Sequence, residues 1–412
     1  MKRWFSKNIK NKIFESLPVG LKHQIIRSLI SIPLKEDNNY IYKLAEDEDE
    51  LEQAYSLLHD CYVSQGFIQP QKNRMRILPH FILPTTVSLV AKFKNNVVGT
   101  LSIIKNGPLK LPMEKEFSLD FLKQQNASYA EISALAVKKE FRRVNGGAVF
   151  FMMLKYMYHY CVTELNIRTL CIVIHPKDED FYTALMFFKR IPEQKIIDYM
   201  GAPALSMYLD LDQAKIDFDA VYSHLSEDKN FLSFFMRKIS NLHFIERPYK
   251  LNSFCVVTPE IFQRFFIKKN HFFDLITFNE YKILKRALIH TDLFSFFVDD
   301  SIDEISKRSE IRFTVNIQGK TILNEQIFLF DVFDVSSKGL SVTGRNRLIL
   351  KEGDVIVMHL QIGEGIISKI TSVVVWAETP RYGLGIVAFD ASWSEFVNYL
   401  YKGKNNYLFK VG

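Results

Sequence analysis

Cysteine, tryptophan and long apolar runs are all scarce in this 412-residue chain. The four cysteines, Cys61, Cys161, Cys171 and Cys255, form no C-x-x-C pair and none stands at zinc-ligand spacing from a histidine, so neither a metal nor a redox site is expected. Cys161 and Cys171 lie in apolar stretches and read as buried thiols in a reducing compartment. Lys and Arg interrupt every apolar run near the start, which argues against a secretory leader. No window reaches roughly 18 uninterrupted apolar residues, so no spanning helix is expected. The composition, 48% apolar and 24% charged, excludes collagen-like, disordered and disulfide-scaffold classes.

A large excess of one charge is also missing once its placement is considered. The formal net charge is +7, but residues 1–34 hold seven Lys/Arg (Lys2, Arg3, Lys7, Lys10, Lys12, Lys22, Arg27) against Glu15 alone. The remaining residues carry 46 Lys+Arg and 45 Asp+Glu. A nearly neutral body excludes a general DNA or RNA partner. The arm itself spaces Trp4, Phe5, Ile9, Ile13, Phe14 and Leu17 as an amphipathic helix, broken at Pro18-Val19-Gly20 and followed by a second amphipathic stretch from Leu21 to Ile30. Two readings stand: a basic face on an anionic membrane surface, or helices packed on the body. The expected location is cytoplasmic, with the arm as a route to a peripheral place at the inner membrane.

The length predicts two or three domains. After a basic arm (1–37), residues 38–300 read as α/β, with a Phe-rich helical extension from about 212. Strands are expected at Ile41–Leu44, Thr86–Lys94, Val97–Lys105, Tyr129–Val137, Thr169–Ile174 and Ala204–Leu211, with a hairpin turn at Asn95-Asn96. Helices are expected at Glu46–Tyr62, Ala148–Leu165 and Asp178–Phe188. Residues 211–300 hold 15 of the 35 Phe, which suits core packing first and an acyl tunnel second, at roughly 0.8 kcal/mol per buried CH₂.

The informative stretch is Glu131-Ile-Ser-Ala-Leu-Ala-Val137 followed by Arg142-Arg143-Val144-Asn145-Gly146-Gly147-Ala148. A basic, Gly-rich loop opening a helix presents free N–H groups and a positive dipole end, which suits a phosphate. The loop alone reads equally well as an ordinary left-handed turn. Arg143-x-x-Gly146-x-Ala148 resembles the acyl-carrier-binding signature of the GNAT acyltransferases. With Phe141-Arg142, His175-Pro176, Phe181-Tyr182 and Pro203-Ala-Leu-x-Met-x-Leu-Asp-Leu211, the wider pattern resembles the N-acyl amino acid synthases, relatives of the acyl-homoserine-lactone synthases. Ala134 departs from it, since relatives often carry Arg there. The resemblance implies acyl-ACP or acyl-CoA as donor, residues 142–148 around its phosphate, and an amine such as an amino acid as acceptor. Glu131 would serve as base and Tyr182 as acid. A degenerate, non-catalytic docking domain is the other reading.

From residue 301 the text becomes all-β, with strands expected at Ile311–Gln318, Thr321–Val332, Gly339–Thr343, Val355–Leu360, Ile366–Trp376 and Gly383–Phe389, and a helix at Ser392–Leu400. Arg308-x-x-x-Arg312 precedes the first strand, and Asp334-x-Ser336-x-x-Gly339 sits at a strand junction. The second motif alone is a Ser-type turn by default. Together, in this order, they resemble a PilZ domain, which implies cyclic di-GMP as effector. Arg308 and Arg312 would wrap the nucleotide, Asp334 would take guanine donors, Ser336 a phosphate, and Gly339 would allow close approach or positive φ. The expected fold is thus a GNAT-like α/β acyltransferase domain with a helical extension, joined to a C-terminal PilZ barrel (301–412).

Overall fold

A computed structural model describes residues 14, 16–32, 37–83, 85–107, 109–124, 128–142, 144, 147–199, 201–237, 257–288, 292–297, 313–323, 325–344, 349–379 and 381–405. The arginine pair 308 and 312, loop residues 143, 145 and 146, Cys255 and the first half of the basic arm lie outside them.

The central sheet runs in the order β1(Tyr40–Leu44), β2(Thr86–Phe93), β3(Asn96–Lys105), β4(Tyr129–Val137), β5(Thr169–Ile174), β8(Ala202–Asp210), β6(Lys189–Arg190), with β7(Ile197–Tyr199) also on β8. Neighbours are antiparallel except β4 and β5, and that parallel pair needs a crossover. The crossover is a long helix, and the helices of six or more residues up to residue 237 are α1(Val19–Leu29), α2(Glu48–Ser64), α3(Ala148–His159), α4(Glu179–Met186), α5(Leu211–Tyr222) and α6(Phe231–Met236). α2 starts two residues later than its apolar spacing suggests because Asp47 caps it, accepting from the Glu50 N–H at 2.8 Å.

Two apolar clusters cover the two faces. On one, α3 and the aromatics of α5 and α6 (Phe218, Phe231, Phe234, Phe235) pack on Leu101, Leu170 and Met207. On the other, α2 meets Phe262, Phe265, Phe266, Phe272 and Phe297. Most phenylalanines in the described residues of the extension are therefore core, as their helical spacing implies.

The hairpin between β2 and β3 turns at Lys94-Asn95, one residue earlier than expected, because Phe93 pairs with Asn96 and Lys94 takes φ 56°. The helix expected to reach Leu165 leaves α geometry at His159 and continues as a π-helix, Tyr160–Glu164. The second amphipathic stretch of the arm packs on the body. Ile26 and Ile30 join the first cluster, and Arg27 Nε donates to the Ala184 carbonyl on α4 at 2.8 Å. Lys229 Nζ donates to the Ser28 and Ile30 carbonyls at the end of α1. No described helix is long and apolar enough to cross a membrane.

The C-terminal part is a closed six-stranded antiparallel barrel, β10(Gln326–Val335), β11(Gly339–Gly344), β14(Arg381–Phe389), β13(Ile366–Glu378), β12(Val355–Gly363) and β9(Phe313–Leu323). Helix α7(Ala391–Asn405) plugs it with Trp393, Phe396 and Leu400. A turn at Gly319-Lys320, expected from the glycine, is absent. β9 runs straight through, because the Phe330 ring and Leu360 lie over Gly319, and a Cβ there would come within 2.2 Å of Phe330. The glycine is needed for close approach and the turn falls at Glu325 instead, at φ 64°. Gly319→Ala is expected to destabilise the barrel by about 1–3 kcal/mol. An unchanged denaturation midpoint for that variant would contradict this packing.

Candidate active site

β4 and β5 pair only through Tyr129–Thr169, Ala130–Leu170 and Glu131–Cys171, although β4 runs on to Val137 and β5 to Ile174. Beyond Glu131 the strands part, and a cavity of about 360 Å³ opens through the sheet. β4 is re-aimed there. Thr100 faces Ala136 and Ser102 faces Ser133, which leaves Leu101 opposite both Ala134 and Leu135, a bulge in which Ala134 holds φ 53°. Ile132, Ser133, Ala134 and Leu135 all line the cavity.

Glu131 sits at the apex and is 4% exposed. The Met113 N–H donates to its Oε2 at 2.8 Å. Burial pushes its carboxyl up to about 7, against the opposite pull of the Met113 N–H and the Ser133 hydroxyl. A carboxyl poised there exchanges protons readily near neutral pH. Tyr182, on α4, lines the same cavity, and burial pushes its phenol up to about 12, so it keeps its proton at neutral pH. The two residues singled out for acid–base work do share one cavity.

The cavity has two unlike arms. Towards α3, α5 and α6 it is apolar, lined by Leu154, Met157, Phe188, Phe218 and Phe235. Its α6 wall is held by α3: Lys155, fully buried, donates to the Phe234 carbonyl, and His159 Nε2 lies 2.7 Å from that of Phe235. Towards α2 the lining is polar, with Tyr62, Gln65, Arg76 and Tyr199 around Glu131. None of these four was legible from motif spacing. Their only signal is Arg76 between the apolar Met75 and Ile77 in the long connection before β2.

The expected phosphate loop is less complete. Gly147 takes φ 88° and caps α3, while Val144 is exposed. Arg142 turns away from the loop: its Nε donates to the Val137 carbonyl at 2.9 Å and its Nη2 to Cys61 Sγ at 3.4 Å. Arg142 therefore fastens the end of β4, because that carbonyl stands where the strand stops. Val144, Gly147 and Ala148 are not in the cavity lining, but Leu154, on the helix they open, is.

In the barrel, the Asp334–Gly339 stretch is the Ser-type turn that its composition allows. The Gly339 N–H donates to Ser336 Oγ at 3.1 Å, and the Ser336 N–H to the Gly339 carbonyl at 2.7 Å. Ser336 is buried, and Asp334 accepts from Ser341 Oγ at 3.1 Å. Gly339 begins β11 opposite Gly385 and is not among the positive-φ glycines, so close approach is the part of its expected role that remains. Asn166, between the π-helix and β5, donates to Asp331 of β10 at 3.1 Å and ties the barrel to the sheet. No group of side chains suited to a metal ion occurs among the described residues.

Residues 53–210 match the family model for the N-acyl amino acid synthase FeeM. Among solved structures, FeeM from uncultured soil microbes is 21% identical, covering 48% of this chain and 98% of its own, with a TM-score of 0.37. BjaI, a CoA-dependent acyl-homoserine lactone synthase, is 18% identical over 43% of this chain and 89% of its own, with a TM-score of 0.34. The PilZ domain of YcgR from Escherichia coli, solved with cyclic di-GMP, is 10% identical over 25% of this chain and 94% of its own, with a TM-score of 0.21. No curated protein matches the chain. The family-model match covers the stretch that carries the N-acyl amino acid synthase motifs.

Because Glu131 is held neutral by burial, its folded-state affinity for a proton exceeds that of an unfolded glutamate. Stability should fall as pH rises from about 4.5 through about 7. Glu131→Gln, which keeps the shape without the charge, should melt higher than the parent above pH 7, with the gap closing towards pH 4.5. Thermal melts of the two proteins across that range, if they run parallel, would count against the raised carboxyl.

Proposed function

We propose that the chain is an N-acyltransferase that moves an acyl group from acyl-ACP or acyl-CoA to an amine, and that cyclic di-GMP bound at the barrel controls it. The observation that carries the first part is Glu131, a near-neutral carboxyl facing the gap between β4 and β5, with an apolar arm leading off that gap.

In this reading the acyl chain lies in the apolar arm, and its thioester carbonyl comes to the bulge at Ala134. The acceptor nitrogen attacks the carbonyl carbon from the polar arm. The C–N bond forms, the C–S bond breaks, Glu131 takes a proton from the nitrogen, and Tyr182 gives one to the leaving thiolate. The products are an amide and a free thiol, and solvent returns the proton from Glu131 to Tyr182. The apolar lining of that arm suits a hydrocarbon chain.

Regulation rests on the Asn166–Asp331 hydrogen bond. Asp331 lies three residues from Asp334 on β10, and Asn166 lies three residues before β5, the strand that forms one side of the gap. Nucleotide held by Arg308, Arg312 and the Asp334–Gly339 turn would shift β10 and, through Asn166, the opening of the gap.

Incubation with acyl-thioesters and an amino-acid panel should give amide and free thiol. Its kcat/KM should rise with pH through about 7 as Glu131 ionises. Glu131→Gln should lower kcat by about 10² to 10⁴-fold, and Tyr182→Phe should slow thiol release. No amide with any donor would return the reading to a non-catalytic docking domain. Cyclic di-GMP should change turnover by roughly five-fold or more, and Asn166→Ala should remove that change while leaving nucleotide binding intact. Retention of full control in Asn166→Ala would exclude this route.

A further inference from the structure

The polar arm of the cavity carries a cation that the acyl-transfer step does not use. Arg76 is half-buried, whereas the lysines of the lining, Lys177 and Lys215, are exposed. Its guanidinium carbon stands 4.5 Å from the centre of the Tyr62 ring, a cation–π contact. Its backbone N–H donates to the Tyr55 carbonyl on α2 at 3.1 Å, so the residue is held at both ends. Arg76 and Glu131 act with opposite sign on the phenols of Tyr62 and Tyr199, so all four groups share one space.

We propose that Arg76 reads the carboxylate of an α-amino acid acceptor while its amine faces Glu131. The inference rests on the acyl-transfer reading for its choice of an amine as occupant. An α-amino acid separates its nitrogen from its carboxylate by a single carbon, so an acceptor whose amine meets Glu131 must place its carboxylate nearby in the same arm. A planar, permanently charged fork is the group that holds a carboxylate by two parallel hydrogen bonds. Without such a partner, a carboxylate entering a half-buried arm beside Glu131 would lose hydration with nothing in return. Arg76 thus selects acids over plain amines of the same shape, and it is a specificity-determining residue for the acceptor.

The test pairs each amino acid with its own carboxamide, so that side chain and amine stay the same. Binding to the full chain is measured by titration, independently of turnover, for the wild type, Arg76→Ala and Arg76→Lys. The wild type should bind acids roughly ten- to a hundredfold tighter than amides. Arg76→Ala should erase that ratio, and Arg76→Lys should restore part of it. Equal binding of acid and amide by the wild type, which needs no variant to fold, overturns the proposal. So does an acid preference that survives in Arg76→Ala, or no binding of either compound. Turnover is read separately: an acid preference lost in Arg76→Ala with no amide formed from any thioester upholds the carboxylate site and refutes the acyl-transfer reading.

Discussion

The parting of β4 from β5 is the constraint on which the site depends. A sheet that stayed paired would present a closed, hydrogen-bonded surface, and nothing could pass between its faces. Here the ladder ends at Glu131–Cys171. The bulge at Ala134 turns β4 aside, and Arg142 pins the far end of that strand by its last carbonyl. The cost is exposure of backbone groups and loss of ladder bonds. The gain is a passage with an apolar arm on one face of the sheet and a polar arm on the other.

Much of this was legible from sequence because the governing signals are local. Alternation and helical spacing located β4, β5, α3 and α4, and Glu131 and Tyr182, picked out by motif, lie on elements that line one cavity. The barrel was legible too, from short strands and turn residues. What failed did so for tertiary reasons. Gly319 looks like a turn, but the aromatic ring that displaces its Cβ comes from another strand. The hydrogen bond from Arg142 to the Val137 carbonyl, five residues earlier, is likewise a contact that no motif announces. The Ser336 hydroxyl accepts from the Gly339 N–H of its own turn, the default that its composition implies. Arg76, Tyr62 and Tyr199 come together only through folding, so no spacing rule could group them.

The basic arm shows the same division. Its charge count is a property of the sequence, but in α1 Arg27 donates to a carbonyl of the helix that bears Tyr182, and the last carbonyls of α1 are taken by Lys229. Val19, Leu21 and Leu29 remain outward. A charge that suggests a distant partner can therefore serve an internal contact.

The pair Lys155 and His159 gives the apolar arm a property that packing alone would not. Two nitrogens from α3 hold the terminal carbonyls of α6, one of them from a side chain fully sealed from solvent. Sliding that wall outward would break both of these hydrogen bonds. The wall thus behaves as a latch and not as a spring: it is pinned to α3 through its backbone, so the cavity keeps its bounds instead of stretching.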